Sequence, residues 1–135
     1  MQLDPTAFLA NPESIRALSE PAIPVVCDTD RVLFCQGDPP VGLYILHSGQ
    51  VSLSMTANDG QTILSVRLRD GSLLGLPGLL SNQPYSLRAV AHAGARVSFL
   101  DRTKFTALME TSPTLAFNIL QVLAAEVRSA RQVLY

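Results

Sequence analysis

Leu73 to Ala91 reads LLGLPGLLSNQPYSLRAVA and holds the residues best suited to chemistry in this chain. Gly75 and Gly78 bracket Leu76 and Pro77 at what reads as a helix start, and glycine lets main-chain amides come close to a ligand. Amides at a helix N-terminus favour negative charge, so the stretch has the outline of an anion cradle. Gly78 and Leu79 would supply the amides, whereas Pro77 has no N–H to give. Tyr85, Ser86 and Arg88 follow as polar candidates.

Other reactive groups are sparse. Cys27 and Cys35 stand eight positions apart, with no CxxC and no further cysteine to complete a zinc or iron–sulfur site. Reduced, partly buried thiols are expected, with a disulfide between neighbouring strands as the alternative. His47 and His92 are isolated. They form neither the clustered His and carboxylate set of a metal-dependent β-roll enzyme nor a haem ligand pair. The expectation is therefore a non-enzymatic protein, with no catalytic residues, no metal and no cofactor.

The chain has 135 residues, enough for one domain. Its 10 Lys and Arg against 11 Asp and Glu give a net charge of -1 without a basic cluster, so direct nucleic-acid binding is not expected. The opening MQLDPTAFLANPESIRALSEP is broken by Asp, Pro, Asn and Glu. It suits neither a signal peptide nor a membrane span, and points to a cytoplasmic protein without a membrane partner.

Three regions position the candidates: a helical segment in 1–22 centred on Asp4 to Leu18, a β region over 23–100, and helices over 101–135. No helix beyond the cradle's short start is expected between Leu18 and Asp101. Strands are expected at Val32 to Cys35 and Leu43 to Leu46. Val51, Leu53 and Met55 alternate with polar residues, as do Leu64, Val66 and Leu68, with Asn58-Asp59-Gly60 turning between them. Ser86 to Ala91 and Arg96 to Leu100 form a second pair. On an alternating strand from Ser86, Arg88 shares the face of Ser86 and lies opposite Tyr85. Six to eight short antiparallel strands favour a barrel, jelly roll or sandwich.

Asp101 suits the N-cap of a short helix reaching Glu110, and Ser112-Pro113 caps and begins a longer one. Along it Ala116, Leu120, Leu123, Val127, Ala130 and Leu134 recur at spacings of 4 and 3, a heptad seam suited to self-association. A second stripe, Leu115, Ile119 and Val122, fades after the first half and would dock on the β region.

The run CQGDPPVGLYILHSGQV, Cys35 to Val51, together with the order of the elements, resembles the cyclic-nucleotide-binding-domain superfamily, including the Crp/Fnr regulators. The resemblance spans nearly the whole chain. It implies a mainly β fold with flanking helices: a double-stranded β-helix, or jelly-roll-like β-roll, with short N-terminal helices and a long C-terminal dimerisation helix. It also places Leu73 to Ala91 at the family's phosphate-binding cassette, which resembles Phe-Gly-Glu, a variable loop, and Pro-Arg followed by small residues. Here Gly75, Pro84 and Ser86 match, but Leu76 stands at the Glu position and Tyr85 at the Arg position. The resemblance implies that the Glu accepts from the ribose hydroxyl and the Arg neutralises the cyclic phosphate. Leu76 has no acceptor, and Tyr85 brings one neutral hydroxyl in place of a charged fork.

Weak or absent binding of cyclic AMP and cyclic GMP follows. The residues present suit a small apolar ligand or a weakly held anion at Gly75, Leu76, Gly78, Leu79, Tyr85, Ser86 and Arg88, or a closed, self-filled core. The resulting expectation is a homodimeric regulatory or sensor domain in a signalling or transcriptional setting. The alternatives are a protein-docking module without a small ligand, and a regulator whose DNA-binding domain, following the long helix in Crp/Fnr proteins, is missing from this chain.

Overall fold

The computed structural model describes residues 2–134; the side chain of Leu134, placed in the seam above, and Tyr135 lie outside the described residues. Two four-stranded antiparallel sheets face each other and form the β-roll. One has the order β1 (Ile23–Val25), β8 (Arg96–Asp101), β3 (Gly42–Ser48), β6 (Ser72–Leu74). The other runs β2 (Arg31–Phe34), β7 (Arg88–Ala91), β4 (Val51–Thr56), β5 (Thr62–Leu68). In the β4–β5 hairpin Val51, Leu53 and Met55 oppose Leu68, Val66 and Leu64, so the apolar positions of both strands share the inner face. The jelly-roll-like β-roll with flanking helices is thus the architecture of the chain.

The sheet containing β3 is covered on both faces. Leu46, Leu74 and Val97 belong to the core between the sheets. Leu43, Ile45, Leu73 and Leu100 instead belong to a second core with Leu18, Phe105, Leu115, Ile119 and Val122 from the helices. That double burial explains why Leu43 to Leu46 is an unbroken apolar run and does not alternate.

The helical region expected over Asp4 to Leu18 is a 3-10 turn, Pro5–Phe8, and a separate helix, α1 (Pro12–Ser19). The Asn11 side chain caps α1 by accepting from the Ser14 amide at 2.7 Å, and this cap makes the break. The helix start read at Gly75 to Gly78 is α2 (Leu76–Ser81), six residues long within the β region, and β1 and β6 are strands of three residues that the pattern does not mark. Strand β7 begins at Arg88, so Ser86 is not part of it.

Helix α3 (Arg102–Thr111) starts at Asp101, whose carboxylate accepts from the Lys104 amide at 2.9 Å. Helix α4 (Pro113–Leu134) runs back along the roll and packs on α3, α1 and the N-terminal turn. None of the described helices is long and apolar enough to cross a membrane.

Candidate functional site

The cradle is built by β6, Gly75 and α2, and Tyr85 fills it. Gly75 caps α2 at φ +96°, a left-handed conformation that favours glycine, and a Cβ there would stand 2.9 Å from the Tyr85 ring. The ring stacks on Phe34, with centroids 4.1 Å apart. Its hydroxyl donates to the Gly42 carbonyl at 2.6 Å and accepts from the Gly42 amide at 3.1 Å. Burial pushes the phenol above its ordinary range, partly offset by the Gly42 contact, so Tyr85 is a neutral donor.

The turn before β3 fixes the backbone beneath this ring. Gly37 donates to the Tyr85 carbonyl at 2.8 Å, and the Tyr85 amide donates to the Asp38 carbonyl at 2.9 Å. Asp38 in turn accepts from the Cys35 amide at 2.9 Å. The segment CQGD and the segment QPYS, about fifty positions apart in the sequence, thus form one structure.

The residues singled out by sequence do not all meet. Gly75, Gly78, Tyr85 and Ser86 converge around a remnant cavity of about 20 Å³, room for about one water. Leu76 and Leu79 are absent from its lining: both are buried in the second core beneath the helices. The Leu79 amide donates to the Gly75 carbonyl at 3.1 Å, so it is already used within α2. Arg88 is exposed, while its neighbours Ala89 and Ala91 are fully buried. It therefore lies on the outer face of its sheet, and because Ser86 precedes the strand, the shared face expected for the two does not arise.

On α4 the expected seam is uneven. Leu120 and Val127 are 54% and 42% exposed, with Phe117 beside them at 62%. Ala116, Leu123 and Ala130 are half-buried, Ala130 against the roll. The inward stripe of Leu115, Ile119 and Val122 does not fade. It continues at the same spacing through Glu126 and Ser129, which are buried although polar. The Ser129 hydroxyl accepts from the Asp4 amide at 2.8 Å and ties the N-terminal segment to α4.

Glu126 is the functional candidate that sequence reasoning missed. It is 7% exposed and lines the remnant cavity, yet among the described residues its Oε2 has no hydrogen-bond partner. Burial pushes its carboxyl from the ordinary 4.5 to about 8, so at neutral pH it is largely protonated. A buried polar atom left unsatisfied costs about 1–3 kcal/mol, which makes the position one to explain. The legible signal was the continued 4-3-4-3 spacing from Leu115.

The remaining reactive groups are dispersed. Both cysteines are free, Cys27 buried and Cys35 exposed. His47 pairs with Ser98 and His92 with Ser52, each at 2.7 Å. Among the described residues no three His, Cys, Asp or Glu gather as metal ligands.

Comparison with known proteins places this geometry. Residues 24–112 match the family model described as the cyclic nucleotide-binding domain. The chain is 35% identical over 100 residues to the cyclic AMP receptor protein of Thermus thermophilus, covering 74% of this chain and 46% of that protein. It is 26% identical over 117 residues to the CRP-like cAMP-activated global transcriptional regulator of Mycobacterium tuberculosis, covering 87% of this chain and 52% of the relative. The crystal structure of the Thermus thermophilus catabolite activator protein superposes with a TM-score of 0.79 at 29% identity, covering 96% of this chain and 61% of that one. The N-terminal domain of a transcriptional regulator from Streptomyces coelicolor gives 0.67 at 22% identity, covering 96% and 92%. The chain spans about half the length of the curated relatives it matches.

Proposed function

The chain belongs to the cyclic nucleotide-binding domain family, and from that premise we propose that it is a regulatory domain of the Crp type whose nucleotide cradle is closed by its own side chains. The observation that carries this reading is the Tyr85 ring, stacked on Phe34 and held at both polar groups of Gly42 where a phosphate-binding cation is expected. Leu76 completes the change, since at the position of the expected ribose acceptor it packs into the core. Displacing Tyr85 would break two hydrogen bonds and an aromatic stack, and would still supply no cation for the phosphate.

The domain works as a homodimer in this reading, in the cytoplasm and without catalytic activity of its own. The exposed apolar face of Phe117, Leu120 and Val127 on α4 supports self-association. Its output is transcriptional or signalling control, as the names of the two regulators suggest.

Thermal unfolding with and without cyclic AMP or cyclic GMP in the millimolar range tests the cradle. A ligand present at a hundred times its Kd stabilises by about 2.7 kcal/mol, a shift of several degrees for a domain of this size. No shift is expected with either nucleotide. A rise of several degrees with one of them would return the site to nucleotide sensing.

A further inference from the structure

We propose that the groove between α4 and the β-roll binds a small apolar organic cation, whose ammonium or amidinium group pairs with the Glu126 carboxylate. This rests on the reading that the cradle no longer grips an anion, and it names the chemistry that replaces one.

The groove is about 340 Å³ and is walled by Phe8, Met55, Leu64 and Leu87 on the roll side and by Val127 and Ala130 on α4. That volume reaches the lower range of small-molecule sites, and the apolar walls suit a ring or short alkyl body. Glu126 lines both this groove and the remnant cavity under Tyr85, so it stands where the two meet. Its buried Oε2 has no partner among the described residues. Among the described residues the ion pair found is Lys104 with Asp101, both at the surface where α3 begins. Among the described residues no cation pairs with Glu126.

The positive charge expected at the site is thus gone, and an ionisable acid, protonated at neutral pH, stands in its place. The position suited to a cation carries the neutral Tyr85, and the opposing helix brings an acid. An anion entering the groove would meet a neutral carboxyl and must keep it protonated, and a neutral donor would satisfy one oxygen. A cation would in addition favour the ionised carboxylate, forming a charge-assisted bond in a place where water is scarce.

The other polar groups around Glu126 do not provide that charge. From α4, Arg131 lines the groove but is exposed and forms no ion pair with Glu126. From the N-terminal segment, the Asp4 carboxylate is engaged with Thr6. From the cradle, the Tyr85 hydroxyl is held by Gly42, and Ser86 is neutral. Strands β4 and β5 bring Met55 and Leu64. Since burial holds the carboxyl near 8, cation binding at neutral pH must expel close to one proton, and affinity must rise with pH up to that value.

Isothermal titration of benzylamine, benzamidine, benzyl alcohol and benzoate into the full chain tests this, in two buffers of different ionisation heat at pH 6.5 and 7.5, with cyclic AMP as a fifth ligand. At least one of the two cations is expected to bind at least about tenfold more tightly than the alcohol or benzoate, releasing a proton and binding more tightly at the higher pH. Glu126→Gln, which keeps the shape of the side chain, should lose that tenfold preference and the proton release. Glu126→Asp should keep the pH dependence at reduced affinity. Equal binding of benzylamine and benzyl alcohol, undiminished cation binding by a folded Glu126→Gln variant, or no binding of either cation would overturn the proposal. Saturable binding of cyclic AMP would overturn the reading of the cradle beneath it, so the two failures are separable.

Discussion

Two side chains carry the proposed reading of the site, Tyr85 and Glu126. The Tyr85 hydroxyl is both donor to and acceptor from buried Gly42, so Tyr85→Phe removes both bonds and strands a buried amide. A loss of about 1–3 kcal/mol in urea unfolding is expected; an unchanged midpoint would mean that the contact does not hold the plug. Glu126 makes an opposite kind of contribution. Its folded-state pKa of about 8 lies above the ordinary 4.5, so between these values the native state holds a proton that the unfolded chain has released. Stability therefore falls as pH rises through that window, by on the order of 3 kcal/mol between pH 5 and 8. Glu126→Gln should unfold at similar denaturant to the wild type at pH 5 and at higher denaturant at pH 8. Parallel stability profiles for the two proteins would contradict the buried, unpaired carboxyl.

At the scale of elements, α4 carries two faces with different work. The inward face continues through Glu126 and Ser129, and the outward one presents Phe117, Leu120 and Val127. Placing a charge on the outward face should disrupt assembly without disturbing the fold. Leu120→Asp is expected to give a monomer by light scattering with an unchanged circular dichroism spectrum, against a dimer for the wild type. A wild-type monomer at all concentrations would remove the seam. The strands with clear alternation, such as Val51 to Met55, and the caps Asp101 and Ser112-Pro113 were legible because period and capping chemistry are local. Strands β1 and β6 were not: each has three residues, too few to show a period, and β6 is buried throughout. The apolar stripe on α4 ends at Val122 in the sequence because polarity hides the burial that follows: Ser129 is buried with its hydroxyl bonded to Asp4, and Glu126 is buried beside it. The resemblance to the cassette puts Leu76 and Leu79 at the pocket, but a six-residue helix turns both into the second core.

At the scale of the molecule, the β-roll, the short α2 and the long α4 form the frame shared with the Crp-type structure it superposes on. The proposed difference lies in its interior. The turn at Gly37 and Asp38 and the cradle at Gly75 both converge on Tyr85, so the plug is held by main-chain contacts from two separated segments. That Leu76 and Tyr85 stand at the positions the resemblance assigns to Glu and Arg is legible in the sequence; that Tyr85 is bonded and stacked inside the cavity depends on contacts with Gly42 and Phe34 that no local pattern displays. Calorimetric titration of cyclic AMP and cyclic GMP into the purified chain tests this closure most directly. The account predicts no saturable heat for either nucleotide through the micromolar range, and saturable micromolar binding of either would contradict it.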